Sequence, residues 1–141
     1  MAITKEKLIK ELNVDLEWEY AAAVQYVQHA ACITGAKYES IQKELLLHSQ
    51  EEMQHAVSLS DQIVFLGGTP TIEVEERKVS GKSLDMLKQD LAGEEYAIRR
   101  YKERIEQAEV LKEYGLRRAL EDILIMEEEH KRDLLTVIEE D

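Results

Sequence analysis

The sequence predicts an all-α protein: a four-helix bundle made of two antiparallel helix hairpins joined by a long crossover. Apolar residues recur at three- and four-residue steps through four long segments, which is the spacing of one buried helix face. One proline and six glycines in 141 residues are too few for the many turns of an all-β fold. With 44% hydrophobic and 34% charged residues, the chain has material for one core and a solvated surface. Its length fits a single domain, residues 1–141.

The breaks between the periodic segments place the elements. Thr4 is a suitable N-cap for the first helix and Ser83 for the third, and Gly35 interrupts the chain between the first two. Gly67-Gly68-Thr69-Pro70 ends the second helix and opens an irregular crossover, residues 67–82. Helices joined by short breaks are expected to run antiparallel. The expected helices are residues 4–33, 37–66, 83–110 and 114–139.

Charge and cysteine content limit the kinds of partner. The chain carries 30 acidic and 18 basic residues, a net charge of −12, which argues against nucleic acid or an anionic membrane surface and suits cations. No apolar run approaches the length of a membrane span, and the first residues lack a signal-peptide core. The single cysteine, Cys32, cannot form an internal disulfide, so we expect a cytoplasmic protein. We also expect Cys32 to be buried near a helix end.

Six side chains violate the apolar pattern. Four glutamates and two histidines occupy stripe positions that ought to be apolar, and each histidine follows a glutamate by three residues, on the same helix face. A buried lone carboxylate is costly unless it is paired, protonated or coordinated. No stripe position offers a lysine or arginine as a partner, so metal coordination is the economical explanation. The six residues are Glu19, Glu52, His55, Glu94, Glu127 and His130.

The spacing of these six residues supports a shared site. Glu19 to Glu52 and Glu94 to Glu127 are both 33 residues, and the second hairpin repeats the first at an offset of 75. A single Glu-x-x-His on a helix is usually a solvated pair, but here each of two has an upstream glutamate at the same distance. Two hairpins with pseudo-two-fold symmetry bring four carboxylates and two imidazoles to one height in the bundle. The pattern therefore predicts a dinuclear site, because four negative charges balance two divalent cations.

The segments around these residues resemble a known family. The segments 19–26, 52–56, 90–94 and 127–130 are similar to the ligand segments of the ferritin-like superfamily of di-iron carboxylate proteins, most of all bacterioferritin. The resemblance implies two iron ions per chain, with manganese as the alternative metal. It also implies that Glu52 and Glu127 bridge the two ions, that Glu19 and His55 complete one, and that Glu94 and His130 complete the other.

The resemblance implies a ferroxidase that oxidises Fe(II) with O2 or H2O2. One alternative is a rubrerythrin-like peroxide or oxygen reductase supplied by an electron-donor protein, although the CxxC pairs of a rubredoxin module are absent from this sequence. Another is a store of iron or haem. Only eleven residues follow His130, so we do not expect the fifth helix that lines the channel of bacterioferritin cages. We therefore expect storage to be the weaker interpretation, and DNA protection fits an acidic chain poorly.

Several further residues carry predictions. Tyr26 is a candidate redox-active tyrosine, or a core tyrosine whose hydroxyl is hydrogen-bonded. Met53 matches the methionine that ligates haem at the bacterioferritin dimer interface, or packs a helix contact. Trp18, Tyr20 and Met53 lie off the stripes and predict a homodimer or larger homo-oligomer through the first two helices. His48 is either an accessory or transit ligand or a partly exposed histidine. Four acidic neighbours of the ligands are expected to be solvated: Glu51, Glu95, Glu128 and Glu129.

Overall fold

The computed structural model describes residues 2–139 and places four long helices, with no strand among those residues. The prediction of an all-α four-helix bundle is confirmed. The observed starts and ends differ from the expected ones by at most two residues. The helices are α1 (Lys5–Cys32), α2 (Glu39–Phe65), α3 (Ser83–Val110) and α4 (Tyr114–Ile138), with a short 3₁₀ helix at Ala36–Tyr38 between α1 and α2.

Local chemistry sets where the helices begin and end. The Thr4 hydroxyl accepts a hydrogen bond from the Lys7 backbone N–H at 3.1 Å, which caps α1. Gly35 at φ +109° and Gly67 at φ +97° turn the chain after α1 and α2, in conformations that side chains rarely adopt. Lys112 takes φ 60° between α3 and α4, so this tight turn is made without glycine at the left-handed position.

The start of α3 differs from the expected cap. Lys82 is the N-cap residue, and Ser83 is the first residue of the helix. The Ser83 hydroxyl instead donates to the Thr34 carbonyl oxygen at 2.9 Å and accepts from the Thr34 N–H at 3.0 Å. Ser83 therefore ties the start of α3 to the turn after α1, rather than closing its own helix.

The crossover, residues 67–82, has no regular secondary structure and is hydrogen-bonded to α1. The Asn13 side chain accepts a hydrogen bond from the Thr71 N–H at 2.8 Å. Further along, the Gln25 amide donates to the Lys78 carbonyl oxygen at 2.9 Å. These side chains satisfy backbone groups of a segment that has no regular structure of its own. The crossover is thereby fixed to the first hairpin while it carries the chain to the start of the second.

The apolar core is divided into two clusters by a polar layer. One cluster fills the end of the bundle near the start of α1 and contains Leu8, Leu12, Leu16, Ala56, Leu59, Ile63, Leu66, Tyr101, Ala108, Leu116, Leu120 and Ile123. The other fills the opposite end and contains Tyr26, Ala30, Ile33, Ile41, Leu45, Met86, Leu87 and Leu134. The residues between the two clusters are buried and mostly ionisable, so each helix brings its polar side chains to the same level.

Candidate metal centre

The six predicted side chains meet in the polar layer. None is more than 6% exposed, and every long helix contributes at least one. They form two overlapping groups, and within each group one ligand atom per residue lies within 4.8 Å of the others. The first group is Glu19, Glu52, His55 and Glu127, and the second is Glu52, Glu94, Glu127 and His130. Glu52 and Glu127 belong to both groups, which is the arrangement that two bridged ions require.

Each imidazole directs Nδ1 at three carboxylates. Nδ1 of His130 lies 3.0 Å from Glu52 Oε1 and 3.3 Å from Oε1 of both Glu94 and Glu127. Nδ1 of His55 lies 3.6 Å from Glu19 Oε2 and Glu52 Oε1, and 3.5 Å from Glu127 Oε1. Each half of the layer therefore offers one nitrogen and three carboxylates around a common point.

Most atoms that face this point have no hydrogen-bond partner. Buried polar atoms in folded proteins are nearly always paired, so a group of unpaired carboxylate oxygens calls for an explanation. Among the described residues the unpaired atoms here are Glu19 Oε2, Glu52 Oε1, His55 Nδ1, Glu94 Oε2 and both Glu127 oxygens. Carboxylate oxygens and imidazole nitrogen are the donors that iron and manganese accept. The residues present therefore fit a pair of divalent cations.

Burial raises the pKa of three of the four clustered glutamates, so without metal these carboxyl groups retain protons more readily than they would in water. It raises the pKa of Glu94 to about 8, with a further rise from the charge on Glu127. Burial and the Glu127 charge also raise the pKa of Glu19, and that of Glu52 rises well above its usual range. Glu127 is the exception, because its contacts with His130 and Glu52 and the positive charges of the two histidines together outweigh burial and lower its pKa.

The histidines balance part of this negative charge. Burial alone would lower the pKa of His130, but its close contacts with Glu127 and Glu94 and the charges of these carboxylates raise it to about 11. The carboxylates Glu19 and Glu127 likewise raise the pKa of His55 against the effect of burial. A metal-free centre thus keeps its charge low by retaining protons, and those protons are what a bound cation would displace.

Two buried tyrosines hold the outer glutamates. The Tyr26 hydroxyl donates to Glu94 Oε1 at 2.7 Å, and the Tyr101 hydroxyl donates to Glu19 Oε1 at 2.5 Å. Burial and the adjacent carboxylates raise the pKa of both phenols well above 10, so both stay protonated. Tyr26 was predicted near the site, and its redox role stays a prediction. Tyr101 was missed, although it stands 75 residues after Tyr26, the offset that relates the ligands.

A further pair of contacts flanks the centre and follows the same symmetry. The Arg104 side chain is fully buried, and its Nε donates to Asp15 Oδ2 at 3.1 Å. At the equivalent place in the other half, His29 Nδ1 lies 2.8 Å from Asp90 Oδ1. Both members of the second pair are offset by 75 from those of the first, Asp15 to Asp90 and His29 to Arg104. Sequence reasoning missed Arg104 because it lies between two apolar stripe positions.

One histidine and one glutamate beside the centre are more buried than the sequence predicted. His48 is buried rather than partly exposed, and its ring stacks on His130 with centroids 4.0 Å apart. Burial and the adjacent His130 lower the pKa of His48 to about 4. Glu51 is half-buried rather than solvated, with Oε1 3.1 Å from Nε2 of His130. Both residues therefore contact the far side of a predicted ligand.

Part of the predicted partner surface is covered by the chain itself. Trp18 packs edge-on against Tyr96 at 5.2 Å, and the Arg77 guanidinium lies 5.4 Å from its ring centroid. The Tyr20 hydroxyl donates to the Thr71 carbonyl oxygen at 3.2 Å. The crossover and α3 thus contact Trp18 and Tyr20, which stay half-buried, and their assignment to a partner surface stays a prediction.

Met53 and Cys32 are both exposed. Met53 is 46% exposed on α2, and its proposed haem ligation stays a prediction. Cys32, expected to be buried, lies at the exposed C-terminal end of α1.

No helix within residues 2–139 is both long enough and apolar enough to span a bilayer.

Comparison with known proteins agrees with this geometry. The family model described as a ferritin-like domain matches residues 9–141, nearly the whole chain. The chain belongs to the ferritin-like family. A bacterioferritin of Brucella melitensis is 32% identical over 125 residues, which cover 88% of this chain and 78% of the relative.

Two solved structures are similar to this ferritin-like chain over nearly its whole length. Ferritin-like di-iron-carboxylate proteins from Bacillus anthracis superpose with a TM-score of 0.92 and 32% identity, covering 98% of this chain and 99% of theirs. A dodecameric thioferritin of Bacteroides fragilis, described as bacterioferritin-related, superposes with a TM-score of 0.91 and 29% identity, covering 98% and 88%. The fold therefore extends over the same elements in all three.

Proposed function

We propose that this protein is a di-iron oxidoreductase of the ferroxidase type. The observation that carries the proposal is the set of buried carboxylate oxygens without hydrogen-bond partners, grouped around two points that share Glu52 and Glu127. Such a set is unfavourable without a cation and is well matched to two. The named bacterioferritin and di-iron relatives support the same interpretation.

The six side chains divide naturally between two iron ions. Glu19 and His55 would hold one ion, Glu94 and His130 the other, and Glu52 and Glu127 would bridge them. Hard anionic oxygen donors favour Fe(III) over Fe(II), so this donor set promotes oxidation of the bound metal. Two adjacent irons would supply two electrons together, enough to reduce O2 to the level of peroxide or H2O2 to water.

The surrounding residues position the ligands and exclude water. The hydroxyls of Tyr26 and Tyr101 fix one oxygen of each outer glutamate, which leaves the second oxygen facing the shared point. Apolar clusters close the layer from both ends of the bundle.

Two other activities use the same centre. A peroxide or oxygen reductase would keep its irons and receive electrons from a donor protein, and a storage protein would pass Fe(III) to a mineral. Names of relatives favour storage as the second candidate, since one is a bacterioferritin and another is a dodecameric thioferritin. We further propose that chains associate through the exposed apolar side chains of α1 and α2, with Met53 as the candidate haem ligand there.

Iron titration in the presence of O2 separates these activities. A ferroxidase consumes Fe(II) far beyond two ions per chain without any added reductant, as measured by oxygen uptake and Fe(III) absorbance. A reductase stops at two ions per chain and resumes only when a reductant is supplied. Retention of Fe(III) in a soluble particle of high mass after prolonged titration indicates storage.

The matched control changes an exposed glutamate next to the ligand Glu94. Glu95 is 48% exposed and pairs with Lys131, so Glu95→Gln removes one charge beside Glu94 without touching the centre. This variant should oxidise Fe(II) as wild type does, whereas Glu94→Gln should slow oxidation by at least about tenfold through loss of a ligand. Equal rates for Glu94→Gln and Glu95→Gln would remove the basis of the proposal.

A further inference from the structure

A groove on the surface of the bundle lies between α1, the crossover and α3. Its volume is about 560 Å³, which is within the range of pockets that hold small organic molecules. Two half-buried aromatic side chains, Trp18 and Tyr96, form part of its wall. Arg77, Lys78 and Lys88 line it as well. The groove therefore combines aromatic surface with positive charge.

The groove is more basic than the protein as a whole. The chain has 18 basic and 30 acidic residues, whereas the groove is lined by three basic residues and by two acidic ones, Glu76 and Asp85. Within the part of the chain that the structure describes, Arg77, Lys78 and Lys88 form no ion pair. Their positive charges are thus left for an anion from solution.

Arg77 is held in place by neutral partners. Its Nε donates to Gln25 Oε1 at 2.9 Å, and its Nη2 donates to the same oxygen. The guanidinium also lies over the ring of Trp18, 5.4 Å from the centroid. Nη1 of Arg77 has no hydrogen-bond partner among residues 2–139. A guanidinium fixed in this way, with donors to spare, is well suited to bind the oxygens of a phosphate.

A glycine inside α3 makes room for this guanidinium. A Cβ added to Gly93 would lie 2.5 Å from Nη2 of Arg77 and 3.4 Å from Nη1. Glycine in a helix interior is about 1 kcal/mol less favourable than alanine, so its presence there calls for a packing reason. The close approach of Arg77 supplies that reason. The crossover and α3 therefore both contribute to the position of Arg77.

The buried centre does not fully compensate the charge of Arg77. Arg77 also lines the depression that borders the buried glutamates, where Asp90 and Glu94 attract its charge. Burial nevertheless lowers the pKa of the guanidinium, because desolvation outweighs this attraction. A further anion beside Arg77 would compensate the remaining charge.

We propose that this groove binds the phosphate group of a small molecule, with Arg77, Lys78 and Lys88 around the phosphate. A phosphate monoester carries about two negative charges at neutral pH and several acceptor oxygens, which suits one guanidinium and two ammonium groups. Trp18 and Tyr96 would contact the organic part of such an ester. Free inorganic phosphate would use the same cations. The proposal does not depend on the proposed function, because no lining residue of the groove is a predicted metal ligand.

The fluorescence of Trp18, the only tryptophan of the sequence, reports binding in the groove. Adenosine monophosphate is the ester probe, inorganic phosphate the free-anion probe and adenosine the uncharged control. Each is titrated into the whole chain without metal at low ionic strength, with calorimetry in parallel. We expect saturable binding of the two phosphates, weakened by added NaCl, and none of adenosine over the same range. Tighter binding of adenosine monophosphate indicates an ester as the ligand, and equal affinities indicate free phosphate.

Three variants locate the binding. Arg77→Gln should weaken binding of both phosphates at least about tenfold, because a charge-assisted contact is lost. Gly93→Ala should weaken it similarly by displacing the guanidinium, while circular dichroism shows the helix content of wild type. Arg118→Gln removes the same charge from an exposed position on α4 and should bind as wild type does. Wild-type affinity of Arg77→Gln, adenosine binding as tight as that of its monophosphate, or no saturable binding of either phosphate would overturn the proposal.

Discussion

At the scale of single residues, the two tyrosine–glutamate contacts are the most specific support of the centre. Tyr101 donates to Glu19 at 2.5 Å and Tyr26 to Glu94 at 2.7 Å, both fully enclosed. A hydrogen bond to a carboxylate in a buried setting contributes more than one in water, because its loss leaves an acceptor unsatisfied. The two phenols therefore stabilise the fold and orient the outer ligands at once.

The change Tyr101→Phe tests this contribution. It should lower the free energy of unfolding of the metal-free protein by about 1–3 kcal/mol, the cost of an unsatisfied buried acceptor. Tyr20→Phe is the matched control, since the Tyr20 hydroxyl donates to a backbone carbonyl of the crossover from a half-buried position. Urea unfolding measures both variants. A Tyr101→Phe loss no larger than that of Tyr20→Phe would contradict the assigned role.

The sequence predicted residues that break a pattern better than residues that fit it. Glu19 and Glu94 stood out because a carboxylate in an apolar stripe needs an explanation. Tyr101 belongs to the same stripe but reads as an ordinary core aromatic, and Arg104 lies beside the stripe. Their partners across the α1–α3 interface depend on how two helices distant in sequence face each other, which periodicity within one helix does not specify.

At the scale of elements, the junction between α2 and the crossover brings the backbone of Gly68 close to side chains of α1 and α2. A Cβ added to Gly68 would lie 2.5 Å from Cγ2 of Ile9 and 3.1 Å from Cγ2 of Ile63. The absence of a side chain thus lets the crossover leave α2 and pass close to α1. Gly81, at the other end of the crossover, has nothing within 4 Å of such a Cβ.

The two glycines therefore predict opposite effects of alanine. Gly68→Ala should destabilise the protein by about 1–3 kcal/mol through overpacking against the isoleucines. Gly81→Ala should be neutral or stabilising by up to about 1 kcal/mol, because alanine restricts the unfolded chain. Thermal or urea unfolding of the metal-free protein compares them. If both variants unfold alike, the close approach at Gly68 is not present.

The extent of the helices was accessible from the sequence, while the course of the crossover was not. Glycines and the apolar period marked the helices, because both signals are local. The crossover binds α1 through Asn13 and Gln25, two polar residues that carry no signal of a partner 50 or more residues away. For the same reason the sequence did not show that the crossover and α3 contact Trp18 and Tyr20.

At the scale of the whole molecule, the ionisable groups of the centre link stability to pH. Folding raises the pKa of Glu94 from 4.5 to about 8, of Asp15 from 3.8 to about 6, and of His130 from 6.5 to about 11. A raised pKa means that the folded state binds more protons than the unfolded state between the two values. The contribution of Glu94 to the free energy of unfolding therefore falls as pH rises from 4.5 to about 8. The contribution of Asp15 falls between pH 3.8 and about 6, and that of His130 between pH 6.5 and about 11.

The metal-free protein should accordingly be more stable at pH 5.5 than at pH 8. Bound metal should replace the protons and reduce this dependence, raising the melting temperature most at pH 8. Glu94→Gln removes a carboxyl group whose pKa burial raises to about 8, and this variant should melt higher than wild type at pH 8 without metal. Differential scanning calorimetry with and without Mn(II) measures all three effects. A metal-free wild type that gains stability from pH 5.5 to pH 8 would contradict the linkage.

The exposed apolar side chains of the first hairpin predict self-association. Leu46, Met53 and Val57 lie at helical spacing on α2, each between 46% and 49% exposed, and Val24 and Val27 on α1 are 58% and 52% exposed. Such a surface is usually covered in a stable protein. Multi-angle light scattering should give a mass of at least two chains, and Met53→Glu, Val57→Glu should lower it. A wild-type mass of 16.3 kDa at micromolar concentration would exclude the interface.

The number of metal ions bound per chain shows whether the polar layer is a dinuclear metal site. Wild type and the Glu52→Ala, Glu127→Ala variant are loaded anaerobically with Fe(II), freed of excess metal and analysed by mass spectrometry for metal and by amino-acid analysis for protein. Because both residues belong to both ligand groups, the variant should hold two fewer ions per chain than wild type, while the Glu95→Ala, Glu128→Ala control keeps the wild-type number. Equal iron content in wild type and the Glu52→Ala, Glu127→Ala variant would show that the polar layer does not bind two ions through these glutamates.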